Sequence, residues 1–242
     1  MNPVARTPAA AGPRLRNIHL QLVDALGAAI VAGRYPQDSQ LPTEPQLAET
    51  YGASRLIIRE AMKSLAARGL VSIRPRTGTR VQPRDQWNLF DPAVIGWHGQ
   101  APVDARFLAD LMELRQAIEP VAARLAAERA GTAHLAEARD AFTGMEQAGE
   151  RNAYIEADLR FHGAVLRGCG NQFIAQLDRA LSAVWRASFE ASSGAWGPDA
   201  VALALHRTLL EALESHAPRK AEKAAMSLIE RAVVRIGEGA AK

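Results

Sequence analysis

Between Leu41 and Gly69, two helix-forming stretches are separated by nothing but Gly52-Ala53-Ser54. So short a connection makes the two helices cross steeply and share one small core. The first stretch opens with Leu41-Pro42-Thr43-Glu44-Pro45-Gln46. Thr43 and Gln46 stand at capping-box spacing there, and Pro45 falls in the first turn, where its missing N–H is harmless. The stretch ends near Tyr51-Gly52. The second starts at Ser54, a good capping residue, and runs to Arg68 with Gly69 as its stop. Ile57, Ile58, Ala61, Met62 and Leu65 fall on its inward face, while Arg55, Arg59 and Lys63 recur every four residues on the outward one.

Around this pair the sequence predicts one more helix and a hairpin. From Arg14 to Gly33 the apolar Leu15, Ile18, Leu22, Leu26 and Ile30 keep helical spacing. Beyond Gly69, Leu70-Val71-Ser72-Ile73 reads as a strand, Thr79-Arg80-Val81 as its partner, and Arg74-Pro75-Arg76-Thr77-Gly78 as the turn. Helix, short helix, tight turn, helix and hairpin make a winged helix-turn-helix over residues 14–84, after a flexible tail over 1–13. The basic stripe suits a helix laid in the major groove, where cations meet phosphates and base edges. The plain alternative is a solvated basic face on a core helix; the short preceding helix and the basic hairpin favour DNA.

Charge is distributed to match. Residues 1–84 carry 12 Lys and Arg against 5 Asp and Glu, whereas residues 85–242 carry 17 against 21. A compact basic segment joined to a mildly acidic one fits a polyanion-binding module attached to something else. Residues 85–102 read as a linker whose Trp87, Leu89, Phe90 and Trp97 are apolar enough to dock on a domain surface. From Val103 onward the pattern is helical, over 103–130, 132–149, 152–168, 172–192, 198–216 and 218–237. Pro120 should kink or break the first of these near Glu119, and Thr132 and Asn171 mark helix starts. The class is therefore mainly α: an N-terminal winged helix-turn-helix and an all-helical bundle over 103–237. With one cysteine, Cys169, an internal disulfide is excluded and a reducing cytoplasm is expected. No apolar run approaches the ~18 residues of a membrane span.

Within the bundle, Asp158 and His162 lie at i and i+4 and project from one helix face. A second imidazole from another helix, His206, would complete a set able to hold Zn²⁺ or a similar divalent ion. An ordinary surface pair is the alternative. Arg115 shares a face with Leu111 and Ile118, so it either snorkels outward or turns inward to meet an anion. Trp185, beside Arg186 on a later helix, either packs in the core or lines the same site. His98, His134 and His216 read as surface or linker residues, His19 has no assignment, and Cys169 reads as structural. Two histidines and a carboxylate also describe a non-haem iron site, hence a metalloenzyme. Against that, the sequence places no second acid or base, and the basic hairpin would have no role. A sequence-neutral architectural DNA protein is a third reading, which the acidic helical domain disfavours.

The chain resembles GntR-type bacterial transcription regulators. Leu41-Pro42-Thr43-Glu44, Leu47-Ala48, Gly52-Ala53-Ser54-Arg55, Arg59-Glu60-Ala61, Leu65, Gly69-Leu70-Val71 and Arg76-Thr77-Gly78-Thr79-Arg80-Val81 follow the family's signature. Glu113-Leu114-Arg115 with Glu119, Asp158-Leu159-Arg160-Phe161-His162, Asn171 and His206 resemble the FadR-type ligand-binding domain, the FCD. Gln86-Trp87-Asn88-Leu89-Phe90-Asp91 and Trp97 are similar to regulators of galactonate- or gluconate-type catabolism. The resemblance implies DNA contacts at Thr43, Ser54, Arg55, Arg59, Arg76 and Gly78. Pro45 replaces an arginine that contacts DNA in many relatives. It implies effector binding at Arg115, Asp158, His162, Trp185 and His206, with a metal on Asp158, His162 and His206. Relatives usually supply one Asp and three His, and the position of the fourth ligand is Ile229 here. The implied protein is no enzyme but a cytoplasmic, homodimeric repressor on a palindromic operator, answering to a small carboxylate or sugar acid.

Overall fold

The computed structural model describes residues 13–100, 105–178, 182, 186 and 199–240. In order they form α1 (Pro13–Val31), α2 (Glu44–Tyr51), α3 (Arg55–Ala67), β1 (Val71–Arg74) and β2 (Gly78–Val81). Next come a 3-10 turn (Arg84–Gln86), α4 (Pro92–Gln100), α5 (Ala105–Arg129), α6 (Thr132–Gln147) and α7 (Arg151–Gly168). The described part of α8 covers 172–178, followed by α9 (Ala200–Glu214) and α10 (Pro218–Ala240). The chain divides into two compact units, Met1–Trp97 and His98–Lys242.

In the first unit the outward and inward faces of α3 separate as its pattern requires. Ile58, Ala61, Met62 and Leu65 are buried against Leu22, Leu26 and Ile30 of α1 and Leu47 of α2. Ser54 caps α3 by accepting the Ile57 N–H (3.3 Å), and Gly52 closes α2 in the left-handed region (φ 61). β1 and β2 pair antiparallel, with Val71 opposite Val81 and Arg74 opposite Gly78. The strands thus reach further into the hairpin than the sequence predicts, leaving Pro75, Arg76 and Thr77 as the turn. Arg76 makes so tight a reversal feasible by adopting φ 66.

Within the stretch read as a linker, Trp87 and Trp97 are buried in the core of the first unit. Trp87 is buried and donates its indole N–H to the Gln82 carbonyl (2.9 Å). Asp91 caps α4 through the Ala93 N–H (2.9 Å), and Val94 and Trp97 join the core of the first unit. The Trp97 indole donates to Asp24 on α1 (3.2 Å). Leu89 and Phe90 stay exposed. Apolar bulk, rather than polar composition, decides where this unit ends.

Among its described residues the second unit is built of helices joined by short turns, with no strand. α5 packs against α7, α9 and α10, and α6 against α7 and α9. Buried alanines line these contacts, among them Ala122, Ala123, Ala126, Ala212 and Ala225, and let helix axes approach closely. Pro120 does not break α5, which runs unbroken to Arg129. The lost backbone bond is outweighed because residues before and after the proline, Glu119 and Ala122 among them, are held in the core. His98 is no surface residue: it is buried, with its ring stacked on Phe107 (centroids 4.0 Å apart).

Candidate functional site

Two groups of residues stand out, one in each unit. On α3, Arg55 is the first helical residue and is exposed, with Arg59 and Lys63 following on the same side. Arg59 is not a lone cation. Its Nε and Nη2 donate to the two carboxylate oxygens of Glu44 at 3.1 and 2.8 Å, so the guanidinium is held as a fork against the start of α2. That guanidinium holds the Glu44 carboxyl below its usual range. Lys63 pairs with Glu60 at 2.8 Å. Thr43 donates both its N–H and its hydroxyl to Gln46 Oε1, each at 2.9 Å, fixing the turn that places Glu44. In the wing, Gly78 takes φ 85, and the space its missing Cβ leaves is filled by the Gln40 amide, 2.7 Å from where a Cβ would stand. Gln40 Nε2 donates to the Thr77 carbonyl at 3.0 Å, so the wing tip carrying Arg76 is tied down.

In the second unit α5, α7 and α9 bring Arg115, Glu119, Asp158, His162 and His206 together, all buried. Asp158 and His162 share the buried side of α7, as i, i+4 spacing requires, and His206 faces them from α9. The Nε2 atoms of the two histidines lie 3.3 Å apart. Asp158 Oδ1 is 3.0 Å from His206 Nε2 and 3.9 Å from His162 Nε2. His206 Nδ1 lies 2.8 Å from the Ala202 carbonyl, which can only accept, so that nitrogen carries a proton. His162 Nδ1 faces Glu119 Oε2 at 3.4 Å, which assigns its proton likewise. With those protons on Nδ1, both Nε2 atoms turn their lone pairs toward Asp158 Oδ1, and three acceptor atoms converge on one point.

Such a convergence needs a cation: added protons or a metal ion. Ligand atoms around a tetrahedral zinc stand roughly 3.3 Å apart, given Zn–N bonds of about 2.0–2.1 Å. The three donors match that size, and Glu119 and the Ala202 carbonyl occupy the outer positions that orient metal-bound histidines. Asp158, His162 and His206 thus fit a divalent ion as a set of three. Ile229 is fully buried and supplies no fourth donor.

Glu119 is the residue whose role the sequence left blank. Its Oε1 accepts from Arg115 Nε at 2.6 Å, so Arg115 turns inward and meets a carboxylate of its own chain. Burial pushes the Glu119 carboxyl up, but Arg115 and His162 outweigh it and hold the group at about 2. Asp158 is likewise held below its usual range: burial pushes its carboxyl up, and the surrounding His206, His162 and Arg115 outweigh it. The i, i+4 spacing of Arg115 and Glu119 along an apolar face was the available signal. Tyr154, buried one turn before Asp158, is a second neighbour with no sequence cue. Trp185 lies outside the described residues; Arg186 is exposed and pairs with Glu156 at 2.7 Å.

Comparison with known proteins bears on both groups. The model for "Bacterial regulatory proteins, gntR family" matches residues 18–81, and the FCD domain model matches residues 110–231. The galactonate operon transcriptional repressor of Escherichia coli (strain K12) is 37% identical over 223 residues, covering 90% of this chain and 96% of that one. The probable D-xylose utilization operon transcriptional repressor of Paenarthrobacter nicotinovorans is 28% identical over 207 residues, 84% of this chain and 82% of its own. Among solved structures, Lar, which controls expression of the Listeria monocytogenes agr system, aligns with a TM-score of 0.63 at 16% identity. That alignment covers 95% of this chain and 99% of Lar, a likeness of fold.

Proposed function

Since this chain belongs to the gntR family of bacterial regulatory proteins and carries an FCD domain, we propose that it represses a sugar-acid operon under control of a small carboxylate effector. The family and its relatives are DNA-binding transcription regulators, not enzymes. Its first unit would read one half of a palindromic operator, with a second copy of the chain reading the other. Thr43, Ser54, Arg55, Arg59, Arg76 and Gly78 are the proposed contacts. The site of action is the cytoplasm; among the described residues no helix is long and apolar enough to cross a membrane.

The observation that carries the effector reading is the convergence of Asp158 Oδ1, His162 Nε2 and His206 Nε2 inside an apolar bundle. These three residues would hold a divalent ion, which would offer open positions to an effector's carboxylate or hydroxyl oxygens. Arg115 supplies the positive charge for the effector carboxylate, shared with Glu119. Because Glu119 also faces His162, a carboxylate on Arg115 is felt at the histidines. Repression is relieved when the effector prefers one arrangement of the dimer over the other.

Operator binding measured with galactonate and related sugar acids, with and without a chelator, tests this. The wild type should release DNA with one such acid, and His162→Ala should keep DNA binding and lose the response. A wild type indifferent to every sugar acid, or a His162→Ala variant that still responds, overturns the assignment.

A further inference from the structure

On α3 the residue that points most directly away from the core is not a cation but Leu56. The residue is 68% exposed, and among the described large apolar residues only Phe173 is more so. With about 100° of rotation per residue, Leu56 lies opposite the buried seam of Ile58, Ala61, Met62 and Leu65. It therefore contributes nothing to the core of its unit. Arg59 and Glu60 flank it one turn on, with Lys63 a turn beyond, and Arg55 precedes it, so an apolar patch sits inside a charged frame.

We propose that Leu56 is a specificity residue that packs against the C5-methyl of a thymine in each operator half-site; this rests on the DNA-binding reading. The N-terminal residues of a recognition helix are those that reach base edges in the major groove. There the thymine methyl is the one apolar group a base pair presents. Arg59 and Lys63 supply attraction to phosphate, which carries no sequence information, and Arg55 can read a guanine, but none of the three recognises a methyl. A leucine at the outermost position gains from contact only where a methyl awaits it. Arg59, clamped by Glu44 at 2.8 Å, leaves the space over Leu56 to the DNA rather than folding across it.

The test starts from the full-length protein and a random-sequence duplex library, from which the wild type selects its operator. Each thymine of that duplex is then replaced in turn by deoxyuridine, which lacks only the C5-methyl, and affinities are compared at one fixed salt concentration. One thymine per half-site should show about a fourfold loss with the wild type, the scale of one buried methyl. The same replacement should leave Leu56→Ala, already weakened, unchanged. If every thymine costs the wild type and Leu56→Ala the same on demethylation, the methyl contact is overturned and the DNA-binding reading stands. If the wild type enriches no sequence at all, both are overturned.

Discussion

Glu119 Oε2 lies 3.4 Å from His162 Nδ1, and the other oxygen of the same carboxylate accepts from Arg115 at 2.6 Å. One buried anion therefore neutralises the arginine and sets which nitrogen of His162 carries the proton. Without it the His162 Nε2 lone pair has no reason to face Asp158 and His206.

Glu119→Gln is expected to lower zinc affinity about 10–100-fold, the usual loss when an outer partner of a ligating histidine is removed. The glutamine keeps the size and one acceptor, so the fold survives at reduced stability, since Arg115 loses its charged partner in a buried setting. Competition between the protein and a coloured chelator measures the affinity. Unchanged zinc binding in a folded Glu119→Gln protein would show that Glu119 serves Arg115 alone.

Arg55→Ala should abolish preference for the operator and leave the stability within about 0.5 kcal/mol of the wild type, as for an ordinary exposed position. The side chain is exposed at the first position of α3, while the helix cap comes from Ser54. A bidentate arginine–guanine contact is worth about 1–3 kcal/mol of discrimination. Competition between operator and random DNA reads the outcome. An undiminished operator preference would remove Arg55 from the readout.

Why some of this was legible in the sequence and some was not follows from how far each feature reaches. α3 was legible because its cap, its stop and its apolar seam all lie within one short stretch, Ser54 to Gly69. Asp158 and His162 were legible as a pair because helical spacing alone puts them on one face. Their meeting with His206 depends on α7 and α9 packing, which no local pattern encodes. Glu44 clamping Arg59 is likewise a contact between two helices, invisible to a count of basic residues. Around Trp87 the sequence shows that large apolar side chains must dock, but not which: the two indoles are buried while Leu89 and Phe90 stay exposed, a choice made by packing against α1 and α3 rather than by composition. A proline's local effect on a helix is outweighed where, as around Pro120, that helix packs against three others.

Gly27→Ala should destabilise the first unit although alanine is the better helix former. Gly27 lies in α1, and a Cβ there would stand 2.5 Å from the Trp97 ring, which is itself buried and bonded to Asp24. The helical gain is about 1 kcal/mol. Overpacking against a ring that cannot move costs about 1–3 kcal/mol. Denaturant unfolding of the two proteins decides the sign. A more stable Gly27→Ala would mean that Trp97 is free to shift.

Asp199 links the helix that carries His206 to its neighbour, and its ionisation should appear in the pH dependence of stability. It caps α9 by accepting the Val201 N–H at 3.0 Å and pairs with Arg231 of α10 at 2.7 Å. Burial pushes its carboxyl up, but Arg231 and the backbone N–H groups of Ala202 and Val201 outweigh it, so the folded value is depressed. A depressed carboxyl stabilises fully above its unfolded value, about 3.9, and the contribution fades as pH falls through the folded value. Asp199→Asn keeps a capping oxygen and removes the charge. At neutral pH the variant should therefore melt about 2–4 °C below the wild type, as for a pair worth about 1 kcal/mol. The gap should hold down to pH about 5 and close below pH about 4. Other buried carboxyls, Glu119 and Asp158 included, are common to both proteins and cancel in the difference. Melting curves of the pair across that range are the measurement. A gap that widens on acidification would mean that Asp199 is protonated in the folded protein and caps α9 as a neutral acid.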